Sequence, residues 1–383
     1  MLLTVEITKY VPPGTGFAIH NGKAVFVPAT AVGDVVNVFP VKEKKNHIIA
    51  AVKEILTPSP DRIKAPCPHY DLCGGCSLMH LAYETQLKLK TEMLQEVLNN
   101  YGLTCDVNII PAQQPFQYRY RTQLKCKDRI VGFSQRNSNT LVGVDQCLIL
   151  AEPLKEQYQK LVKLFAKQRD YHLLGSSVNQ EVSCTVFEGR QKFMLPGSQP
   201  TITENYGFGD LELESESFAQ SNPGMISVIA KDLFDNLNHS NKVCELYCGS
   251  GTFSLAIAKK AKSLIGYEID KHAVEQADKN MHKNGFEHCR FEAGNLEKIS
   301  FDPDMDTIVA DPPRTGMAKS IIKQILQSSV NEIFYISCNP TTMARDLSIL
   351  TREGQFKMRS ITAYDMYCHS THLEALAILQ RAT

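Results

Sequence analysis

The spacing of apolar positions changes twice along the chain. Over residues 1–57 they come in short β-branched runs between Gly and Pro: Val25, Phe26 and Val27 before Pro28, then Val35, Val36, Val38 and Phe39 after Gly33-Asp34. A further run covers 48–52. This predicts a small barrel of the OB type. Thr57-Pro-Ser-Pro60 reads as a linker. From 81 to 101 the period becomes helical, with Leu87, Leu89, Leu94, Val97 and Leu98 on or near one face. Residues 106–215 alternate short strand-like runs with turns around one helical stretch near 153–168, which predicts an α+β middle unit. From about 225, strand and helix alternate. Strands are expected at 243–248, 263–268, 306–311 and 332–337, and helices at 253–262, 271–284 and 318–327. Alternation of this kind predicts a doubly wound parallel sheet. The expected class is α/β, in three units: 1–57, 58–215 and 216–383.

Composition narrows this picture only a little. The chain has 383 residues, 43% hydrophobic and 21% charged, as in an ordinary globular protein. Lys plus Arg is 41 and Asp plus Glu is 41. That excludes a histone-like or acidic-tail protein and leaves room for a local basic face. No stretch approaches the ~20 apolar residues of a membrane span. The start is interrupted by Glu6 and Lys9, unlike a signal peptide, so a cytoplasmic chain with no membrane partner is expected. In that compartment the 12 cysteines point to metal binding or catalysis rather than disulfides.

Cys67, Cys73 and Cys76 stand in C-P-H-Y-D-L-C-G-G-C. Gly74 and Gly75 permit the left-handed or close-approach backbone that lets three thiolates converge. A Cys₄ zinc or iron–sulfur site needs one more ligand. The remote candidates are Cys105, Cys126, Cys147 and Cys184, and Cys147 in V-D-Q-C-L-I-L is preferred. Buried free thiols are the bland alternative. The spacing leaves zinc and iron–sulfur both open, with His69 a further zinc ligand candidate.

E-L-Y-C-G-S-G-T-F follows a predicted strand and opens a helix, which resembles the first glycine loop of Rossmann-like nucleotide binders. Gly249 and Gly251 let the backbone pass close to a ligand. The third glycine of a dinucleotide fingerprint is missing. Glu268 ends the next strand, where a carboxylate can accept both ribose hydroxyls of an adenosine; loop and acid fit NAD or S-adenosylmethionine. Asn295, after the third strand, is placed either to meet an adenine edge or simply to make a turn. Asp311-Pro-Pro-Arg-Thr-Gly316 ends the fourth strand and Ser337-Cys338-Asn-Pro340 the fifth, at the same sheet edge. Cys338 there is a nucleophile candidate. Glu374, before the final apolar strand, is a candidate base or a solvated surface carboxylate.

Together these residues resemble the uracil-5 RNA methyltransferases that carry an iron–sulfur cluster, over nearly the whole chain. G-K-A-V-F-V-P-A at 22–29 is similar to their N-terminal TRAM domain, a small RNA-binding barrel. C-P-H-Y-D-L-C-G-G-C resembles their cluster motif, with Cys147 as fourth ligand. S-F-A-Q-S-N, L-Y-C-G-S-G-T-F, D-P-P-R-T-G, S-C-N-P-T-T-M-A-R-D and H-S-T-H-L-E follow in the family's order. The resemblance implies S-adenosylmethionine held by Gln220, Tyr247, Thr252, Glu268, Asn295 and Asp311, a [4Fe-4S] cluster, nucleophile Cys338 and base Glu374. The family usually has Phe-Pro where this chain has Tyr367-Cys368.

The implied chemistry is addition of Cys338 to uracil C6, methyl transfer to C5 and proton removal by Glu374. A local effect must favour the Cys338 thiolate, and Arg314 is one candidate. Residues 118–136 hold six basic residues and one acid, interleaved with Tyr118, Tyr120 and Phe133. Lys42, Lys44 and Lys45 add a basic patch on the barrel. Both are expected RNA contacts. The expected partner is 23S ribosomal RNA, with transfer RNA (uracil 54) as the alternative, and the expected state is a monomer. A non-catalytic RNA-binding or redox-sensing protein and an NAD oxidoreductase are the rivals from other classes. The cluster is expected to hold the middle unit together.

Overall fold

The computed structural model describes residues 2–127, 130–136, 138–144, 146–165, 171–178, 181–188, 191–194, 199–214, 220–239, 241–302 and 304–382. Strands β1 (Leu3–Glu6), β2 (Lys9–Val11), β3 (Thr15–His20), β4 (Lys23–Val27), β5 (Val35–Glu43) and β6 (His47–Thr57) form one barrel-like sheet in the order β1-β5-β6-β4-β3-β2. Alternate residues point inward, so Val5, Ala18, Val25, Val27, Val36, Val38 and Ile48 make its core. The Asp34 carboxylate ties the barrel to the next segment. It accepts from Ala31 N (2.7 Å), Ser59 N (2.8 Å) and Arg62 Nε (3.0 Å), and the Arg62 guanidinium and these N–H groups pull its pKa down against burial.

Helix α1 (Tyr83–Asn100) follows, then β7 (Val107–Ile110). β8 (Arg121–Lys127), β9 (Ile130–Ser134), β10 (Leu141–Gly143), α2 (Glu152–Phe165), β11 (Tyr171–Val178), β12 (Glu181–Glu188) and β13 (Gln191–Met194) build the middle unit. Its sheet runs β10-β9-β8-β11-β12-β13, all antiparallel. β14 (Thr201–Asn205) and β15 (Asp210–Glu214) form a hairpin.

The C-terminal sheet begins after α3 (Pro223–Asn236), with β16 (Lys242–Leu246), α4 (Ser254–Ala258), β17 (Ser263–Glu268), α5 (Lys271–Lys283), β18 (Cys289–Ala293), β19 (Thr307–Ala310), α6 (Lys319–Gln327), β20 (Glu332–Ser337), α7 (Pro340–Thr351), β21 (Phe356–Tyr364) and β22 (Glu374–Arg381). The order is β18-β17-β16-β19-β20-β22-β21-β7. β16 to β20 are parallel and β22 runs antiparallel between β20 and β21. The order reverses between β16 and β19, and a crevice outside the carboxyl ends of the strands opens at such a switch. Because β22 is antiparallel, its first residue, Glu374, lies at that same edge.

Two elements differ from the sequence reading. The segment containing α1 and β7, read with 58–215, packs on the C-terminal sheet. β7 extends its sheet beside β21, and Leu94, Val97, Leu98 and Leu103 share a core with Ile308, Ile333 and Leu347. Helix α4 is shorter than the expected 253–262, ending at Ala258, and Lys260 beyond it turns its ammonium onto the C-terminal end of α3. There it donates to Leu237 O (3.0 Å) and sits 4.4 Å from the Phe234 ring centroid. No helix among the described residues is long and apolar enough to cross a membrane.

Candidate active site

The glycine loop between β16 and α4 is built by left-handed backbone at Tyr247 (φ 64°), Gly249 (φ 55°) and Gly251 (φ 92°). A Cβ on Gly249 would meet nothing within 4 Å, so this turn faces open space in front of the sheet. Glu268 is aimed at the loop. Its carboxylate accepts from Gly249 N (3.2 Å), Ile269 N (2.7 Å) and Asp270 N (3.1 Å), which fixes its orientation before any ligand arrives. The Tyr247 hydroxyl takes a hydrogen bond from Ala318 N–H. Thr252 is half-buried in the same loop. Asn295 is exposed, and its Oδ1 accepts from Glu297 N (2.9 Å) in a local turn. Gln220 is half-buried next to Ser221, whose carbonyl accepts from Tyr120 N (2.8 Å).

At the ends of β19, β20 and β22 four groups meet. Asp311 is pushed up to about 7 by burial. Glu374, 2% exposed, is raised well above the carboxylate range by burial and by the Asp311 charge, with Arg314 opposing. Cys338 is raised by burial, then by Glu374 and Asp311; Arg314, hydrogen-bonded to it, pulls the other way. The sequence required an effect favouring the thiolate. Arg314 pulls that way, but desolvation with two nearby carboxyls outweighs it, so the expected net bias toward the thiolate is not met. The loops hold this arrangement by backbone bonds: Asn339 Nδ2 (2.7 Å) and Thr342 Oγ1 (3.1 Å) both donate to Arg314 O. Asp346 accepts from Met317 N (2.8 Å) and Tyr335 OH (2.7 Å), pinning the end of the D-P-P-R-T-G loop to α7.

Cys67, Cys73, Cys76 and Cys147 line one cavity of about 50 Å³ with Met79, Phe133, Val144 and Arg119. Backbone N–H groups point at their sulfurs: Gly75 to Cys73 (3.5 Å), His69 to Cys67, and Ile149 and Leu150 to Cys147. Burial raises Cys67 and Cys147, and burial with the three other thiols pushes Cys76 up to about 12. Four cysteines lining one hollow, three of them met by backbone amides, are a donor set of the chemistry a thiolate-bound group needs. Among the described residues no three His, Cys, Asp or Glu side chains converge tightly enough for one metal ion. Gly74 serves by close approach, since a Cβ there would lie 3.0 Å from Ser134 O; neither glycine of the pair is left-handed. Cys105 and Cys126 lie elsewhere, in the cores of α1–β7 and of the middle unit, and the side chain of Cys184 lies outside the described residues.

The basic stretch 118–136 turns largely inward. Tyr118 is 5% exposed and donates to Cys368 O (3.1 Å). Phe133 and Arg119 line the cysteine cavity. Arg136 donates to Cys76 O (2.8 Å) and stands 5.3 Å from the Tyr70 ring centroid. Residues 128 and 129 lie outside the description. Lys42, Lys44 and Lys45 are exposed.

A family model described as tRNA (Uracil-5-)-methyltransferase matches residues 40–300. A TRAM-domain model of tRNA (uracil(54)-C(5))-methyltransferase matches 3–60, and a general methyltransferase-domain model matches 237–376. An uncharacterized RNA methyltransferase of Halalkalibacterium halodurans is 30% identical, covering 99% of this chain and 97% of its own length. A 23S rRNA (uracil(1939)-C(5))-methyltransferase of Legionella pneumophila is 28% identical over 99% and 97%. The crystal structure of Pyrococcus abyssi tRNA (uracil-54, C5)-methyltransferase with S-adenosyl-L-homocysteine superposes with a TM-score of 0.80 at 23% identity, covering 98% of this chain and 100% of that one. A glycine loop with its acid, and a cysteine and carboxylates at the same sheet edge, thus recur within a chain matched from barrel to catalytic sheet. The chain belongs to the RNA uracil-5-methyltransferases, S-adenosylmethionine-dependent enzymes with an N-terminal TRAM domain.

Proposed function

We propose that this enzyme methylates a uracil of 23S ribosomal RNA at C5 through a covalent bond between Cys338 and C6. The observation that carries the reading is the meeting of Cys338, Glu374, Asp311 and Arg314 beside the open face of the glycine loop. Uracil C5 is a poor nucleophile. Attack of the Cys338 thiolate on C6 forms the S–C6 bond and sends the C5–C6 π pair to O4 as an enolate. S-adenosylmethionine supplies an electrophilic methyl group; the enolate pair forms the C5–methyl bond as the sulfonium S–methyl bond breaks and S-adenosylhomocysteine leaves. The Glu374 carboxylate then removes the C5 proton; that electron pair restores the double bond and expels Cys338 as thiolate. Arg314 stabilises the thiolate before attack and after release. Gln220, Tyr247, Thr252, Glu268, Asn295 and Asp311 hold the donor, with Glu268 on the ribose hydroxyls. The target base leaves its stack to enter this crevice.

Cys67, Cys73, Cys76 and Cys147 hold a [4Fe-4S] cluster whose ligation stabilises the middle unit. The amide donors to the sulfurs of Cys67, Cys73 and Cys147 support a bound thiolate centre there. Residues 1–57 serve as the RNA-binding barrel and 216–383 as the methyltransferase domain, with the middle unit between them. The Legionella relative favours ribosomal RNA. Transfer RNA is the second reading, favoured by the TRAM model that matches 3–60.

The test uses Glu374→Gln protein with S-adenosylmethionine and RNA from cells lacking this gene. A protein–RNA adduct on a denaturing gel is expected, lost when Cys338→Ala is added. Sequencing the trapped RNA separates ribosomal from transfer RNA. No adduct from an RNA that wild-type protein methylates would overturn the covalent assignment.

A further inference from the structure

Residues 365–373 form a strap between β21 and β22 that leads directly into Glu374. It is gripped from every side. Lys90 of α1, fully buried, forms an ion pair with Asp365 and donates to Tyr367 O (3.0 Å). Tyr83 OH donates to Asp365 Oδ2 (2.7 Å), and Gln86 Nε2 lies 3.3 Å from His369 Nδ1. Ser77 N and Leu78 N donate to His369 O (2.8 and 2.9 Å). Asn222 Nδ2 donates to Met366 O (3.0 Å). From the barrel, Gly14 packs so closely that a Cβ there would lie 2.4 Å from Thr371 Cγ2.

From Ala363 to Ser370 every residue is buried except Tyr367. Its ring stands edge-on to His372 with centroids 6.1 Å apart, two residues before Glu374, and burial, with the charges of Glu374, Cys338 and Asp311 acting on the phenol, keeps it protonated. Tyr83, Tyr118, Tyr335 and Tyr364 all spend their hydroxyls on protein acceptors. The Tyr367 hydroxyl makes no hydrogen bond among the described residues. That hydroxyl is left free to donate to a ligand oxygen.

We propose that Tyr367 is a further catalytic residue, donating a hydrogen bond to O4 of the uracil, and that the buried Lys90–Asp365 pair is the positioning device that aims it. This rests on the uracil-methylation reading above. O4 is where negative charge arrives when Cys338 bonds to C6, and it sits next to C5, the carbon Glu374 serves. A fixed neutral donor in a partly dehydrated site stabilises that charge more than it does the resting carbonyl.

The experiment measures kcat and KM of the full-length enzyme on uracil-containing RNA for wild type, Tyr367→Phe, Lys90→Met and the double variant, with melting temperatures. Tyr367→Phe is expected to lower kcat about 100-fold with KM within about threefold and an unchanged melting temperature. Lys90→Met is expected to lower kcat in wild type and to add little on the Tyr367→Phe background, as two residues acting through one contact should. Should Lys90→Met misfold, Lys90→Met/Asp365→Asn leaves no buried charge alone and takes its place. A Tyr367→Phe enzyme within twofold of wild-type kcat overturns the donor role. Losses that multiply in the double variant overturn the positioning role. Wild-type protein without activity on any uracil RNA overturns the reading of the site itself.

Discussion

Glu245 is a carboxylic acid in the middle of the catalytic sheet, 3% exposed, on β16 directly beneath the glycine loop. Burial is the main reason its pKa rises from 4.5 to about 8, with the Asp311 charge adding to the rise and the Ser254 hydroxyl opposing it. A carboxyl whose folded pKa lies above its unfolded one stabilises the native state fully below the unfolded value. That contribution is lost as pH rises through the folded value, at about 1.4 kcal/mol per pH unit. The window here runs from 4.5 to about 8. Between pH 5.5 and 7.5 wild type should therefore lose about 3 kcal/mol that Glu245→Gln, with nothing to ionise, retains. Urea unfolding across this range measures it as a difference in slope, so any constant offset from the substitution cancels. In melting temperature the same effect is roughly 3–4 °C for a chain of this length. Ser254→Ala should extend the loss to higher pH, because the bond from Ser254 to the carboxylate favours the ionised form. Wild-type and Glu245→Gln curves parallel within about 0.5 kcal/mol from pH 5.5 to 7.5 would refute the argument.

Two further outcomes follow from the site. Alkylation of Cys338, read by mass spectrometry of its peptide, should have a thiol pKa above the ordinary range; Asp311→Asn should move it down and Arg314→Met up, because those groups repel and attract the thiolate. An opposite order of the two variants would show that the charges around Cys338 are misassigned. Cys73→Ser should lower melting temperature and soluble yield while S-adenosylmethionine binding by the folded fraction stays intact; normal stability with lost RNA binding would put the cysteine cavity at the RNA instead.

Much of the catalytic sheet was legible because its strands are short apolar runs followed at once by chemically marked loops. Gly249, Glu268, Asp311 and Cys338 each end a parallel strand, so one alternation rule brings them to a common edge. Glu374 required more: only pairing with β20 and β21 reveals that its strand is antiparallel and starts at that edge. β7 was hidden because V-N-I-I pairs with Ile361–Tyr364, far along the chain, where no local period reports it. The buried face of α1 was partly disguised. It runs Gln86, Leu89, Lys90, Met93, Leu94, Val97, Leu98, a regular helical stripe with two polar members, and a hydrophobicity count discards Lys90. A stripe interrupted by Lys is itself a signal of a buried partner, here Asp365. The basic stretch at 118–136 misled for the converse reason: Tyr118, Phe133 and Arg136 have interior partners that composition cannot show.

The strap before Glu374 also limits how this enzyme can be divided or recombined. Its anchors come from Gly14, Ser77, Lys90, Tyr118 and Asn222, so all but one belong to chain that precedes the methyltransferase segment in sequence. A fragment beginning at residue 216 would keep the strands of the donor pocket and lose the scaffold that holds the base in register. Transplanting a foreign barrel or middle unit would disturb the strap that leads into Glu374. Barrel, middle unit and C-terminal sheet are therefore tied into one inherited unit through the strap, and exchange of whole modules would break it.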